Sequence, residues 1–157
     1  MKTNRDLLRE LRFSYDSLRS LLGTIPPSAL DFRPRAEFWT VREHVVHLMD
    51  ATLFGFLRYR KAIAQSGASV DVFDEEQWTA RLRYQNVSVE SALDIIERLL
   101  VIELEHLGGI ADGDWKQYVI NHPERGENAL PELISITSRH IDTHRTYIER
   151  NISLLHS

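Results

Sequence analysis

An all-α four-helix bundle with a short extra helix in one connection is the fold this sequence predicts, on three observations. Apolar residues recur at helical spacing in four long segments. Glycines and prolines fall mostly between those segments, and strand alternation is nearly absent. The first helix is expected over residues 4–22, where Leu7, Leu8, Leu11, Tyr15, Leu18 and Leu22 share a face before Gly23, Pro26 and Pro27. A second begins at Thr40, where Thr40-Val41-Arg42-Glu43 reads as a capping box, and runs to about residue 65. A short helix is expected over 75–84, and a third long one from just after Ser88 to about residue 110. Residues 111–128 read as a polar loop, and the last helix covers about 129–155. Loops of roughly 17 residues before the second and fourth long helices have the length for crossovers.

Composition narrows the possible functions. A chain of 157 residues suits one domain spanning 1–157, and about 70% of its unfolded surface can be buried. The chain has no cysteine, which excludes stapled scaffolds, Cys-ligated metal sites and an internal thiol nucleophile. Net charge is −4, and the most basic stretch, residues 33–61, holds only six basic residues against three acidic ones. That balance argues against nucleic acid as a partner. No stretch of about 18 apolar residues offers a membrane span. The opening MKTNRDLLRELRFSYDSLRSLL is charged at every turn, so the cytoplasm is the expected compartment.

Chemistry is concentrated in the histidines. On the last helix, Leu130, Leu133, Thr137, Ile141, Ile148 and Leu155 define an apolar stripe, with Arg139, Asp142, Thr146, Glu149 and Arg150 opposite. His140 and His144 lie within that stripe, one turn apart. Imidazoles at i and i+4 can converge on one metal ion, or can be two core histidines bonded to neighbours. On the second helix His44 and His47 both qualify as a third ligand, and the wheel does not separate them. Asp50, one turn past His47, either orients that ring or is an ordinary surface carboxylate. A zinc-protease motif is absent, because Ile141 stands where a glutamate is needed. A di-iron carboxylate bundle is also excluded, since only one Glu-x-x-His pair, Glu103 with His106, is present.

Glu103 falls in the buried stripe of the third long helix beside Ala92, Ile96, Leu100 and Leu107. It can orient a ligand, accept a proton or bridge to an arginine. Tyr147 lies close to the histidine face, and His122 sits in a loop where it can line a site mouth. His44 reads as a core or edge residue rather than a fourth ligand, and Trp39 as a packing anchor. His106 and His156 have no supporting neighbours.

Several ordered strings carry a resemblance. Trp39-Thr40-Val41-Arg42 leads into His47-Leu48-Met49-Asp50, and Phe73-Asp74-Glu75-Glu76-Gln77-Trp78 follows. Next come His122-Pro123-Glu124-Arg125-Gly126 and the closing His140/His144 pair. In this order the chain resembles the DinB/YfiT-like superfamily of metal-binding four-helix bundles, most closely its YfiT-type members. The resemblance implies a divalent metal held by His47, His140 and His144, choosing His47 over His44. Val46 and Arg139 stand where the family often carries additional histidines. Zinc or nickel is the implied ion, with iron a third option. The implied activity is transfer of a soluble low-molecular-weight thiol, as co-substrate, to a small-molecule electrophile. Hydrolysis by metal-bound hydroxide is the alternative, and a non-enzymatic metal-binding bundle in stress response is a further one. The apolar circumference of the second helix adds the expectation of a homodimer.

Overall fold

The computed structural model describes residues 2–155. His156, noted above among the histidines, lies outside the described residues. Four long helices dominate: α1 (Asn4–Leu22), α2 (Val41–Ala64), α4 (Val89–Gly109) and α5 (Leu130–Leu155). Between α2 and α4 lie a two-residue strand β1 (Ala68–Ser69) and the short helix α3 (Glu75–Arg81). Strands β2 (Val119–His122) and β3 (Gly126–Ala129) precede α5.

Local chemistry explains where the helices begin. Thr3 and Asp6 cap α1 reciprocally, and Thr40 and Glu43 do the same for α2. In the second box the Thr40 N–H donates to Glu43 Oε2 at 2.8 Å, and the Glu43 N–H donates to Thr40 Oγ1 at 3.2 Å. This satisfies two end donors that would otherwise be orphaned inside the protein. Arg33 neutralises the buried Glu43 at 2.6 Å. Side chains of Ser88 and Asp74 cap α4 and α3. The six apolar α1 residues expected to share a face are all buried.

Helix neighbours and directions come from side-chain pairs. Arg12 reaches Glu97 and Tyr15 reaches the Leu93 carbonyl, so α1 and α4 run antiparallel. Arg42 reaches the Val87 carbonyl and Arg60 reaches Glu103, so α2 and α4 run parallel. His44 meets His144 and Asn151 meets Trp39, which sets α5 antiparallel to α2. Around the bundle the order is α1, α5, α2, α4, which puts α1 diagonally opposite α2. The 23–40 and 110–129 segments therefore bridge diagonals. The connection that must return along the bundle is 65–88, because only there are consecutive long helices parallel. The sequence pointed to the other two loops.

Two further expectations are corrected. The short helix stops at Arg81 rather than continuing to residue 84, because Arg83 takes a left-handed backbone (φ 53°) and a 3₁₀ turn follows over Tyr84–Asn86. The supposed loop 111–128 contains most of a three-stranded sheet in the order β1-β2-β3, with β1 parallel and β3 antiparallel to β2. These strands are too short for an alternating pattern to show. Ile120 anchors β2 in the core with no exposure. Gly126 closes the hairpin at φ +71°, a conformation that β-carbons disfavour. The hairpin and the 65–88 crossover thus meet on one flank of the α2/α5 pair.

Candidate metal centre

The antiparallel packing of α2 on α5 brings four histidines into one cluster. His47 Nε2 lies 3.1 Å from His140 Nε2, and His144 Nε2 lies 2.9 Å from the same atom. Candidate ligand atoms of His47, His140 and His144 all fall within 4.8 Å of one another. Three ring nitrogens this close oppose their lone pairs unless a proton or a cation sits between them. Ligands in tetrahedral array at about 2.0–2.1 Å from an ion are separated by about 3.3 Å, close to what the rings already show. The donor set therefore fits a divalent ion.

His44 occupies the other side of His144. Their Nδ1 atoms are 2.9 Å apart, so one ring carries the shared proton. A proton held on His144 Nδ1 leaves the Nε2 lone pair free toward the cluster, fixing that ring's tautomer and orientation. His44 is 3% exposed, a core residue as the sequence suggested. Its Nε2 and the Nδ1 of His47 are enclosed without hydrogen-bond partners.

Burial governs the electrostatics. It pushes His44 and His47 down to about 3, His140 to about 4 and His144 to about 2, with Arg150 adding to the effect on His44, Arg125 on His140, and mutual repulsion on His47 and His144. All four rings are therefore neutral at pH 7 and able to donate lone pairs. Trp39 packs on three of them, with ring centroids 5.1 Å from His47, 5.6 Å from His44 and 6.0 Å from His144. Its anchoring is double, since its carbonyl accepts from Asn151 Nδ2 at 2.7 Å.

The remaining residues singled out from the sequence divide into two groups. His122 is buried and lines the same cavity as His140, with its Nδ1 accepting the Glu124 N–H at 3.2 Å. Tyr147 is 41% exposed, with its ring 5.8 Å from that of His144. Asp50 is engaged away from the cluster: it accepts from the Tyr84 hydroxyl, and burial raises its pKa. Glu103 faces Arg60 at 3.2 Å and His106 at 3.8 Å, and does not line the cavity beside His140.

Glu75 was not singled out as a site residue. Its Oε2 lies 3.9 Å from His47 Nε2, and burial, reinforced by Glu76, raises its pKa. Its sequence signal was weak, a carboxylate in the first turn of a short helix capped by Asp74. Only the path of the crossover puts that turn over α2. Phe73, two residues earlier, stacks between Phe54 and Trp78 at centroid distances of 4.6 and 4.7 Å and holds the segment down.

Comparison with known proteins agrees with this geometry. The DinB superfamily profile matches residues 10–148. The chain belongs to the DinB superfamily. Among its relatives is a protein of Oceanobacillus iheyensis named "putative metal-dependent hydrolase", 29% identical over 119 residues, covering 76% of this chain and 68% of the relative. A Bacillus mycoides protein of the same designation is 25% identical over 141 residues, covering 90% and 80%. The solved structure of YfiT from Bacillus subtilis, described as a probable metal-dependent hydrolase with an unusual four-helix bundle topology, superposes with a TM-score of 0.84. It shares 19% identity over 94% of this superfamily member and 85% of YfiT, which supports the four-helix bundle as the fold.

Beside the cluster lies a cavity of about 490 Å³, within the range that small-molecule sites occupy. Among the described residues no helix is long and apolar enough to cross a membrane.

Proposed function

We propose that the protein is a metal-dependent enzyme that activates a soluble thiol and joins it through its sulfur to a small electrophile. In this reading His47, His140 and His144 hold a divalent ion, zinc or nickel first by family resemblance and iron third, all of which imidazoles suit. The observation that carries it is the convergence of three neutral rings beside a cavity that His140 lines and that is large enough for two small reactants. A divalent ion there keeps its full charge, and so lowers the pKa of a thiol or water beside it.

The chain's own residues supply the rest. Glu75, at the cavity wall beside His47, is placed to take the thiol proton. The freed sulfur forms its bond to carbon as the electrophile's leaving group departs. His44 holds His144 in orientation through the Nδ1 contact, and Trp39 packs against the rings of His44, His47 and His144. Hydrolysis, with water in place of the thiol, is the second reading, supported by the designation of the relatives.

Monochlorobimane conjugation with and without low-molecular-weight thiols separates the two. Thiol-dependent turnover is expected, and Glu75→Gln should lower kcat by about 100-fold or more with the metal retained. Turnover that ignores thiol and follows ester or amide cleavage would move the assignment to hydrolysis.

A homodimer through α2 is part of the same proposal, supported by Leu53 and Leu57, 43% and 51% exposed and one turn apart. Sedimentation should then report about twice the chain mass of 18.3 kDa, falling to one chain in Leu57→Arg. A monomeric parent protein removes this part.

A further inference from the structure

The cavity beside His140 has an unusual wall for a protein of net charge −4. Arg58 from α2, Arg125 from the β2–β3 turn and Arg139 from α5 all line it, against the carboxylates of Glu75 and Glu124. None of the three arginines has a carboxylate within ion-pair distance among the described residues, whereas Arg12, Arg42 and Arg145 each have one.

Arg58 is the most telling. It is half-buried, and its Nε–H is enclosed with no acceptor. Among the described residues its one hydrogen bond is from Nη2 to the uncharged Asp71 carbonyl at 3.0 Å. Its guanidinium also lies 5.7 Å from the Phe54 ring centroid. Burial and the like charge of Arg125 act together against its cation, and burial, then both arginines, disfavour a proton on His122. Two guanidiniums near one another in a partly dry wall are costly unless an anion joins them. Of the other half-buried arginines, Arg12, Arg42, Arg60 and Arg145 have that anion within the chain, while Arg150 lies over the Phe38 ring and donates to Asn151.

We propose that this cavity seats a small organic anion, whose carboxylate or phosphate group is held between Arg58 and Arg125 while its apolar body lies against Phe54 and Phe73. Planar guanidinium forks match both oxyanions through paired N–H···O bonds. Because His140 lines the same cavity, a molecule held at the arginine end directs its other end at the histidine cluster. The inference deepens the enzymatic reading and rests on it for the word substrate, but the anion seat itself does not depend on turnover.

The test compares molecules of one shape and different charge. Phenylacetate, phenyl phosphate and uncharged phenylacetamide are titrated by calorimetry into the full-length protein as purified. At least one of the two anions should bind about tenfold or more tightly than the amide, the size expected of one charge-assisted pair, and the stronger of the two identifies the group. Arg58→Gln should abolish the preference while bound metal, measured by elemental analysis, stays unchanged. Arg125→Gln, on an exposed turn where folding is not at risk, should weaken it several-fold. Equal binding of anions and amide, no binding of any, or an anion preference that survives both substitutions overturns the proposal. The last result would place the anion on the metal instead. An anion preference that persists in protein showing neither thiol-dependent nor hydrolytic turnover would sink the enzymatic reading and leave the seat standing.

Discussion

His144→Ala is expected to abolish stable metal binding, lowering affinity by more than about 100-fold and turnover with it. The figure is a lower bound, because losing a mere hydrogen-bond partner of a ligand already costs about 10–100-fold. His144 does two jobs in the cluster. Its Nε2 approaches His140 at 2.9 Å and its Nδ1 approaches His44 at 2.9 Å, so alanine removes a donor and also unpairs the ring behind it. His140→Ala removes only a donor. Elemental analysis of purified protein, with circular dichroism as a fold control, reads the outcome. His106→Ala is the comparison, since that exposed ring faces Glu103 rather than the cluster and should leave the metal content intact. A full equivalent of divalent ion in folded His144→Ala protein would remove the metal centre and the function built on it.

Acid should destabilise the metal-free protein steeply. The four cluster histidines are held neutral, with values of about 3, 3, 4 and 2, whereas in the unfolded chain each takes up a proton near 6.5. Between those limits the unfolded state binds more protons, so stability is full above about pH 6.5 and falls as pH drops below it. Each histidine contributes up to about 1.4 kcal/mol per pH unit, so four acting together approach 5 kcal/mol per unit. Asp50, Glu75 and Glu103, all raised by burial, work in the opposite sense as they take up protons. The descent is therefore steepest about one unit below pH 6.5, where the unfolded histidines are nearly all protonated, and eases at lower pH. Against a usual total of about 5–15 kcal/mol, chelator-treated protein should lose its cooperative urea transition near pH 5. His144→Ala should flatten the slope by about one proton. A midpoint constant from pH 7 to pH 5 would mean the rings are not buried neutral in solution.

The two results bear on what the sequence could reveal. Positions 140 and 144 were legible because both lie on one apolar face of a single helix, where neighbours are set by a 3.6-residue period. The choice between His44 and His47 was not legible from the wheel, since α2 is apolar around most of its circumference. Resemblance to a known family favoured His47, and packing gives each ring its place. His47 Nε2 faces His140, and His44 sits one step outward against His144. Asp50 shows the opposite limit. Its position one turn past His47 suggested a partnership, but Tyr84, from the far end of the crossover, takes that carboxylate instead.

By itself the sequence determined the four long helices, the capping box at Thr40 and Glu43, the absence of thiol chemistry within the chain and the histidine pair on α5. Each of these depends on residues within a turn or two of one another, or on composition. Tertiary structure alone decided the parallel run of α2 and α4, the small sheet, the approach of Glu75 to His47 and the meeting of Arg58 with Arg125. Apart from the β2–β3 pairs of the sheet, those contacts join residues 28 to 67 positions apart. They arise because a connection between parallel helices must travel the length of the bundle, and the 65–88 segment and the β2–β3 hairpin pack where that path leaves the α2/α5 flank open.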